Sequence, residues 1–256
     1  MEITFEVLFF LLLAAFSAGF VDAIAGGGGL IQLPSLLIAL PDTPPAQLLG
    51  TNKLPSFLGT TSATISYLKR IRPDRHLVMA MAIPAFIGSV LGATVATLIP
   101  KDAFRPIILF ALLGVFIYTW SKKDLGLHTK PSRAKRERTW IGASAGLTIG
   151  FYDGIFGPGT GSFLMLILVV FLGFAFLEAS VTAKLVNLST NLGAIIVFGI
   201  TGKIIWTLGL AMAIGNILGS YIGARTAIKG GSELVRKVFL CVTALLIARL
   251  ARDTFF

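Results

Sequence analysis

The stretch Asp22-Ala-Ile-Ala-Gly-Gly-Gly-Gly-Leu30 sets an acid and four consecutive glycines inside an apolar run that lasts from Phe5 to Leu40. Glycines weaken a helix, and backbone groups freed at membrane depth persist only where protein or a water-filled cavity satisfies them. The break therefore predicts a cavity. The design recurs in Asp153-Gly-Ile-Phe-Gly-Pro-Gly-Thr-Gly161, where the acid again stands four residues before the first glycine of the cluster.

Around these breaks the 256 residues are 55% hydrophobic and only 13% charged, too few polar side chains to cover a soluble surface of that size. The chain reads as an all-α polytopic membrane protein of about eight transmembrane segments. They are Phe5 to Leu40 (broken), Ala46 to Leu68, Leu77 to Ile99, Ala103 to Trp120, Trp140 to Leu172 (broken), Ala179 to Ile200, Ile204 to Ile228 and Leu234 to Leu250. Residues 1–256 form a single integral membrane domain with no room for a soluble catalytic module. Glu2 and Glu6 replace the basic start of a cleavable signal, so the first run is expected to be retained. Cys241 is the sole cysteine, which excludes an intrachain disulfide and a cysteine metal cluster.

The formal charge of +10 is decided by its placement. Lys122, Lys123, Lys130, Arg133, Lys135, Arg136 and Arg138 face only Asp124 and Glu137 in the loop 121–138. The positive-inside rule makes that loop cytoplasmic, and contact with anionic lipid explains it better than nucleic acid. Lys69, Arg70, Arg72 and Arg75 are expected on the same side, Asp42 and Glu178 on the other. Trp120, Trp140 and Trp206 stand at segment ends as interface anchors.

Sliding the sequence by 131 residues lays Asp22 on Asp153, Gly26 on Gly157, Thr51 on Thr182, Lys53 on Lys184, Leu54 on Leu185 and Arg105 on Arg236. This points to two homologous four-segment repeats, about 5–120 and 140–252, each opening with a segment broken by a Gly-rich stretch. Gly88-Ser-Val-Leu-Gly92 pairs with Gly215-Asn-Ile-Leu-Gly219 if a small deletion is allowed. Such Gly-interrupted repeats are what secondary transporters show, with the binding site between them. One crossing per break keeps the repeats parallel; a hairpin at each break inverts them. The acidic N-terminus favours the hairpin, Arg249 and Arg252 favour eight crossings, and the balance tips to eight.

Lys53 and Lys184 each lie inside a span, where a lysine usually faces the protein interior or water and marks a substrate path. The plainer alternative is snorkelling to the headgroups; two lysines at matching positions argue for function. Helical spacing puts Lys53, Ser56 and Thr60 on one stripe and Lys184, Asn187 and Asn191 on its counterpart, with Thr51 and Asn52 adjacent. Ordinary interhelical hydrogen bonding is the competing account. Lysines, amides, hydroxyls and the backbone N–H groups of Gly26, Gly27, Gly28, Gly29, Gly157 and Gly159 would make a donor-rich site for a small anion at a helix N-terminus. Asp22 and Asp153 have three readings: ion pairs to the lysines, proton carriers, or caps on the broken helices. No metal-ligand cluster, phosphate loop or cofactor motif emerges, and no nucleophile–base set suggests an enzyme.

Gly19-Phe-Val-Asp-Ala-Ile-Ala-Gly-Gly-Gly-Gly-Leu30, Gly50-Thr-Asn-Lys-Leu54 and Gly150-Phe-Tyr-Asp-Gly-Ile-Phe-Gly-Pro-Gly-Thr-Gly-Ser162 resemble the TauE/SafE family of bacterial membrane proteins, over nearly the whole chain and both repeats. The resemblance implies a multi-pass inner-membrane transporter of small, often sulfur-containing anions such as sulfite or a sulfonate, with export as the direction. Proton coupling through Asp22 and Asp153 is the expected drive; homo-oligomerisation stays open. An anion channel and a non-transporting membrane scaffold are the alternatives, the first distinguished by non-saturating current.

Overall fold

The computed structural model describes residues 4–96 and 134–255, all helix and connection without a strand among them. The Thr4 hydroxyl accepts from the Val7 N–H at 3.4 Å and starts α1 (Phe5–Ala25). Then come α2 (Gly29–Ala39), α3 (Pro45–Leu68) and α4 (Arg75–Val95), the last capped by Asp74. α5 (Lys135–Ile155) and α6 (Thr160–Leu166) follow, with α6 running on into a π turn at Ile167–Phe171, and then α7 (Phe176–Ile200). The last helical stretch, Trp206–Phe255, breaks at Gly231 (φ 63°, ψ −167°) into α8 (206–230) and α9 (232–255). The expected segment Ala103 to Trp120 and most of the loop 121–138 lie outside the described residues.

Among the described residues, four stretches are long and apolar enough to cross a membrane: Phe5–Ala25, Arg75–Val95, Phe176–Ile200 and Trp206–Cys241. Their outward faces carry exposed Phe9, Leu13, Ile83, Ile87, Leu91, Leu210 and Ile214, the side chains a bilayer accommodates and water does not. Two buried clusters sit one at each end of the bundle. Leu11 and Ala15 of α1 share one with Leu36 of α2, Leu40 just after it, Leu48 of α3, Ala93 of α4 and Phe198 of α7. Ala23 and Ile24 share the other with Tyr67, Leu77, Leu168 and Phe176.

These partners fix the direction of each helix. α2 turns back along α1, so the first broken run is a hairpin and not one interrupted crossing, against the sequence expectation of eight crossings. A Cβ on Gly28 would touch Ala18 and Asp22, ten and six residues earlier in the chain. α3 runs parallel to α1, since the Tyr67 hydroxyl donates to the Ala23 carbonyl at 2.9 Å. α5 and α6 form the same hairpin entering from the opposite end: Gly142, Gly146, Gly150 and Gly154 of α5 abut Leu77, Met81, Ala85 and Ser89 of α4 in rising order. α1, α3 and α8 therefore run one way and α4, α5 and α7 the other.

Small residues set the closest approaches, as membrane helices require in the absence of a hydrophobic drive between them. Gly88 abuts the Leu147 carbonyl and the Phe151 amide, and Gly219 abuts the Phe16 carbonyl and the Phe20 amide. Gly92 abuts the Phe151 carbonyl and Gly223 that of Phe20; Gly150 meets the Ala85 carbonyl and Gly19 that of Asn216. In every case the two members of the comparison are 131 residues apart. Gly88 thus corresponds to Gly219, not to Gly215, and no deletion is needed.

Charge separates the ends. Arg138 of α5 pairs with Asp74 at 3.2 Å and covers the Phe174 ring at 5.1 Å, which places the start of α5 beside the cluster Lys69, Arg70, Arg72 and Arg75. Asp42 lies at the other end, as expected. Glu178 does not: it sits at the start of α7, among the basic residues, because the second hairpin returns the chain to the end where α5 began. Trp140 and Trp206 are exposed near opposite ends of the bundle.

Candidate functional site

The two glycine breaks meet. The Ser162 N–H donates to the Gly26 carbonyl at 3.2 Å and the Ser162 hydroxyl to the Ala25 carbonyl at 2.8 Å. Gly26 (φ 76°) and Gly161 face each other so closely that a Cβ on either would enter the other's backbone. Gly157 and Gly159 turn the second tip at φ 85° and 83°, a left-handed conformation natural only to glycine. A Cβ on Gly157 would also stand 2.9 Å from Lys53 Nζ, so the glycine leaves the lysine its way in.

Each lysine reaches the acid of the other hairpin. Lys53 Nζ donates to the Asp153 carbonyl at 2.6 Å and to Asp153 Oδ2 at 2.8 Å; Lys184 Nζ donates to the Asp22 carbonyl at 2.6 Å and to Asp22 Oδ2 at 3.1 Å. The acid and the helix end it belongs to are gripped together, because the same ammonium binds the carboxylate and a carbonyl near a helix C-terminus, the negative end of its dipole. The second carboxylate oxygens are also held. The Thr160 hydroxyl donates to Asp153 Oδ1 at 2.6 Å, and the Gly28 N–H donates to Asp22 Oδ1 at 3.3 Å, a cap on the start of α2. The pairs differ in burial: the side chains of Lys53 and Asp153 are 3% and 2% exposed, those of Lys184 and Asp22 are 5% and 22%.

Between the pairs lies a cavity in which the centre of a water can move through about 20 Å³, room for about one water. Lys53, Asn52, Ser56 and Thr60 of α3, Asn187 and Asn191 of α7, Asp22, Asp153, Gly26, Gly29, Gly157 and Gly159 line it, with Thr160 and Gly161. Lys184 reaches it through its pair with Asp22. Thr51, Gly27 and Gly28 do not line it. The Thr51 hydroxyl donates to the Gln47 carbonyl at 2.6 Å and accepts from the Ile205 N–H at 2.9 Å, joining α3 to the start of α8. Asn191 Nδ2 donates to Asn187 Oδ1 at 2.9 Å, whereas Asn52 Oδ1 is buried without a hydrogen-bond partner among the described residues, a costly arrangement in a membrane interior.

One polar network was not anticipated from the sequence. Asn216 Nδ2 donates to Gln32 Oε1 at 2.6 Å, Ser220 donates to Asn216 Oδ1 at 3.2 Å, and Gln32 Nε2 reaches the Asn52 carbonyl at 3.4 Å. It ties α2 to α8 and to the backbone behind the cavity. The signal was a lone glutamine three residues past the glycines and an asparagine inside a glycine-rich packing stripe.

The arrangement gathers two cations, two acids and several amides and hydroxyls around a small enclosed space between two hairpin tips. The Lys–Asp pairs tie α3 to the end of α5 and α7 to the end of α1, and their charges balance.

A family profile described as "Sulfite exporter TauE/SafE" matches residues 11–250. A "Probable membrane transporter protein ORF9" of Sinorhizobium sp is 41% identical over 255 residues, covering 98% of this chain and 95% of its own. Proteins called "Probable membrane transporter protein" in Haemophilus influenzae and "Probable membrane transporter protein YfcA" in Escherichia coli K12 are 35% and 37% identical, covering 99% and 97% of this chain and 98% and 90% of theirs. With the matched profile spanning almost the whole chain and relatives of this similarity covering it end to end, the protein belongs to the TauE/SafE family of membrane transporters.

Proposed function

We propose that the protein is a secondary transporter of a small anion, built from two repeats of inverted orientation whose hairpins meet at the binding site. The reading rests above all on one observation: each buried lysine crosses to the acid of the opposite hairpin, so both ion pairs join the two halves across one small donor-lined cavity. The contacts recurring at a spacing of 131 residues, with the helices reversed, support the repeat. Lys53 and Lys184 attract the anion, Asn52, Ser56, Thr60, Asn187 and Asn191 orient it, and the amide end of α2 adds positive potential.

Charge balance supports proton coupling. Two lysines and two aspartates sum to zero; adding an anion to so buried a site leaves an uncompensated charge unless a proton arrives with it. The anion replaces a carboxylate as the lysine's counter-ion, the freed carboxylate takes the proton, and the hairpin it had held is released. The Lys53–Asp153 and Lys184–Asp22 pairs lie toward opposite ends of the cavity and serve as its two gates. The family name supports sulfite or a related organosulfur anion as substrate and export as direction. The basic end is assigned to the cytoplasm and the membrane to the bacterial inner membrane, following the positive-inside rule.

The test is flux in proteoliposomes. The purified protein should carry sulfite or a small sulfonate saturably, and Lys53→Ala or Lys184→Ala should reduce that flux to background. Normal flux in both variants would remove the lysines from the site. Thr60→Val keeps the ion pairs and should weaken uptake affinity without abolishing flux.

A further inference from the structure

Away from the central cavity, α3 and α8 run side by side toward the basic end, with the Ser62 hydroxyl 3.4 Å from the Ile217 carbonyl. One to two turns further on, the helices part around a groove of about 310 Å³. Lys69 and Arg70 form one wall, Arg225 and Lys229 the other, with Ser66 and Tyr221 at its floor. No acid lines it among the described residues, and Arg225 lies over the Tyr221 ring at 4.2 Å, which holds the guanidinium at the groove in place of a carboxylate. Four cations so close repel one another, and an anion is the missing partner.

The wall below the groove indicates what kind of anion. Continuing toward the middle of the bundle, the same two helices expose Ile65 (53%), Leu218 (53%) and Ile222 (45%). This apolar strip lies on the lipid side. A soluble anion would fill the charged pocket and leave the strip unused, whereas a phospholipid fits both, with its phosphodiester among the cations and its acyl chains along the strip.

We propose that the groove between α3 and α8 binds an anionic phospholipid of the leaflet at the basic end. The bound lipid would offset part of the cluster's charge and brace α3, which carries Lys53, against α8. Native mass spectrometry of protein taken from nanodiscs of equal phosphatidylglycerol and phosphatidylcholine tests this. The protein should retain the anionic lipid preferentially, and Arg225→Gln and Lys229→Gln should each lower the preference about fivefold, the weight of one cation at a membrane surface. Lys135→Gln with Arg136→Gln removes twice that charge elsewhere at that end and should leave the preference intact. Equal loss in that control, or no preference in the parent protein, would overturn the proposal. So would displacement of the lipid by millimolar inorganic phosphate, which would make the groove a site for a soluble anion.

Discussion

Lys53 and Lys184 occupy equivalent places in the sequence but unequal ones in the fold. Removing one partner of a buried pair strands a charge and costs about 3–5 kcal/mol. Lys53→Ala strands Asp153, whose side chain is 2% exposed and, among the described residues, keeps the Thr160 hydroxyl as its hydrogen-bond donor. Lys184→Ala strands Asp22, 22% exposed and able to draw in water. Lys53→Ala should therefore lower the unfolding temperature in detergent by more than Lys184→Ala does. Adding Asp153→Ala to Lys53→Ala should recover part of the loss, because the coupling between contacting partners is not additive. Equal losses for the two lysines, with no recovery, would contradict the ranking by burial. The lysines and acids were legible from their matching positions in apolar runs. Their pairing was not, because spacing along one helix says which residues share a face but not which hairpin comes to meet it. Thr51 illustrates the limit: it stands two residues before Lys53, on the other face of α3, and serves a helix junction.

The elements that make the site are the two glycine turns, and glycine is required there for two separable reasons. Gly202 also has a positive φ, 66°, but nothing stands within 4 Å of a Cβ placed on it. Gly202→Ala should cost only the left-handed conformation, about 1–2 kcal/mol. Gly26→Ala carries the same conformational cost at φ 76° and also drives a methyl into the backbone of Gly161 and Ser162. It should push the hairpin tips apart, lengthen both Lys–Asp pairs and abolish transport while Gly202→Ala remains active. Thermal unfolding and flux measured on the two variants would separate the effects; similar behaviour would mean the tips do not need their contact. The breaks themselves could be read from the glycines, since no other residue interrupts an apolar run so completely. Whether the chain then continued or turned back could not, because hydrophobic periodicity reports the length of a helix and not the direction of the next one. The π turn at Ile167–Phe171 left no mark in an unbroken apolar sequence either.

At the scale of the molecule, the direction of the second hairpin decides the topology, and two residues distinguish the alternatives. If each break were a single crossing, Glu178 would share an end with Asp42, and Lys203 would lie with Arg70. With a hairpin at each break, Glu178 stands at the basic end beside Arg138 and Phe174, and Lys203 lies at the opposite end, joined to α3 near Gly50. Among the described residues this leaves the basic end with Lys69, Arg70, Arg72, Arg75, Lys135, Arg136, Arg138, Arg225 and Lys229, and the other with little beyond Asp42 and Lys203. The asymmetry of charge is far stronger in that arrangement, and it is the bias that orients a multi-pass protein during insertion. Single cysteines at 42, 70, 178 and 203, introduced in a Cys241→Ser background, test it directly. In intact spheroplasts a membrane-impermeant maleimide should label positions 42 and 203 at once, and positions 70 and 178 only after the membrane is opened. Labelling of 178 together with 42, and protection of 203 with 70, would restore the parallel scheme and with it dismantle the two-gate site, because parallel halves cannot bring each lysine to the acid of the other hairpin from opposite ends.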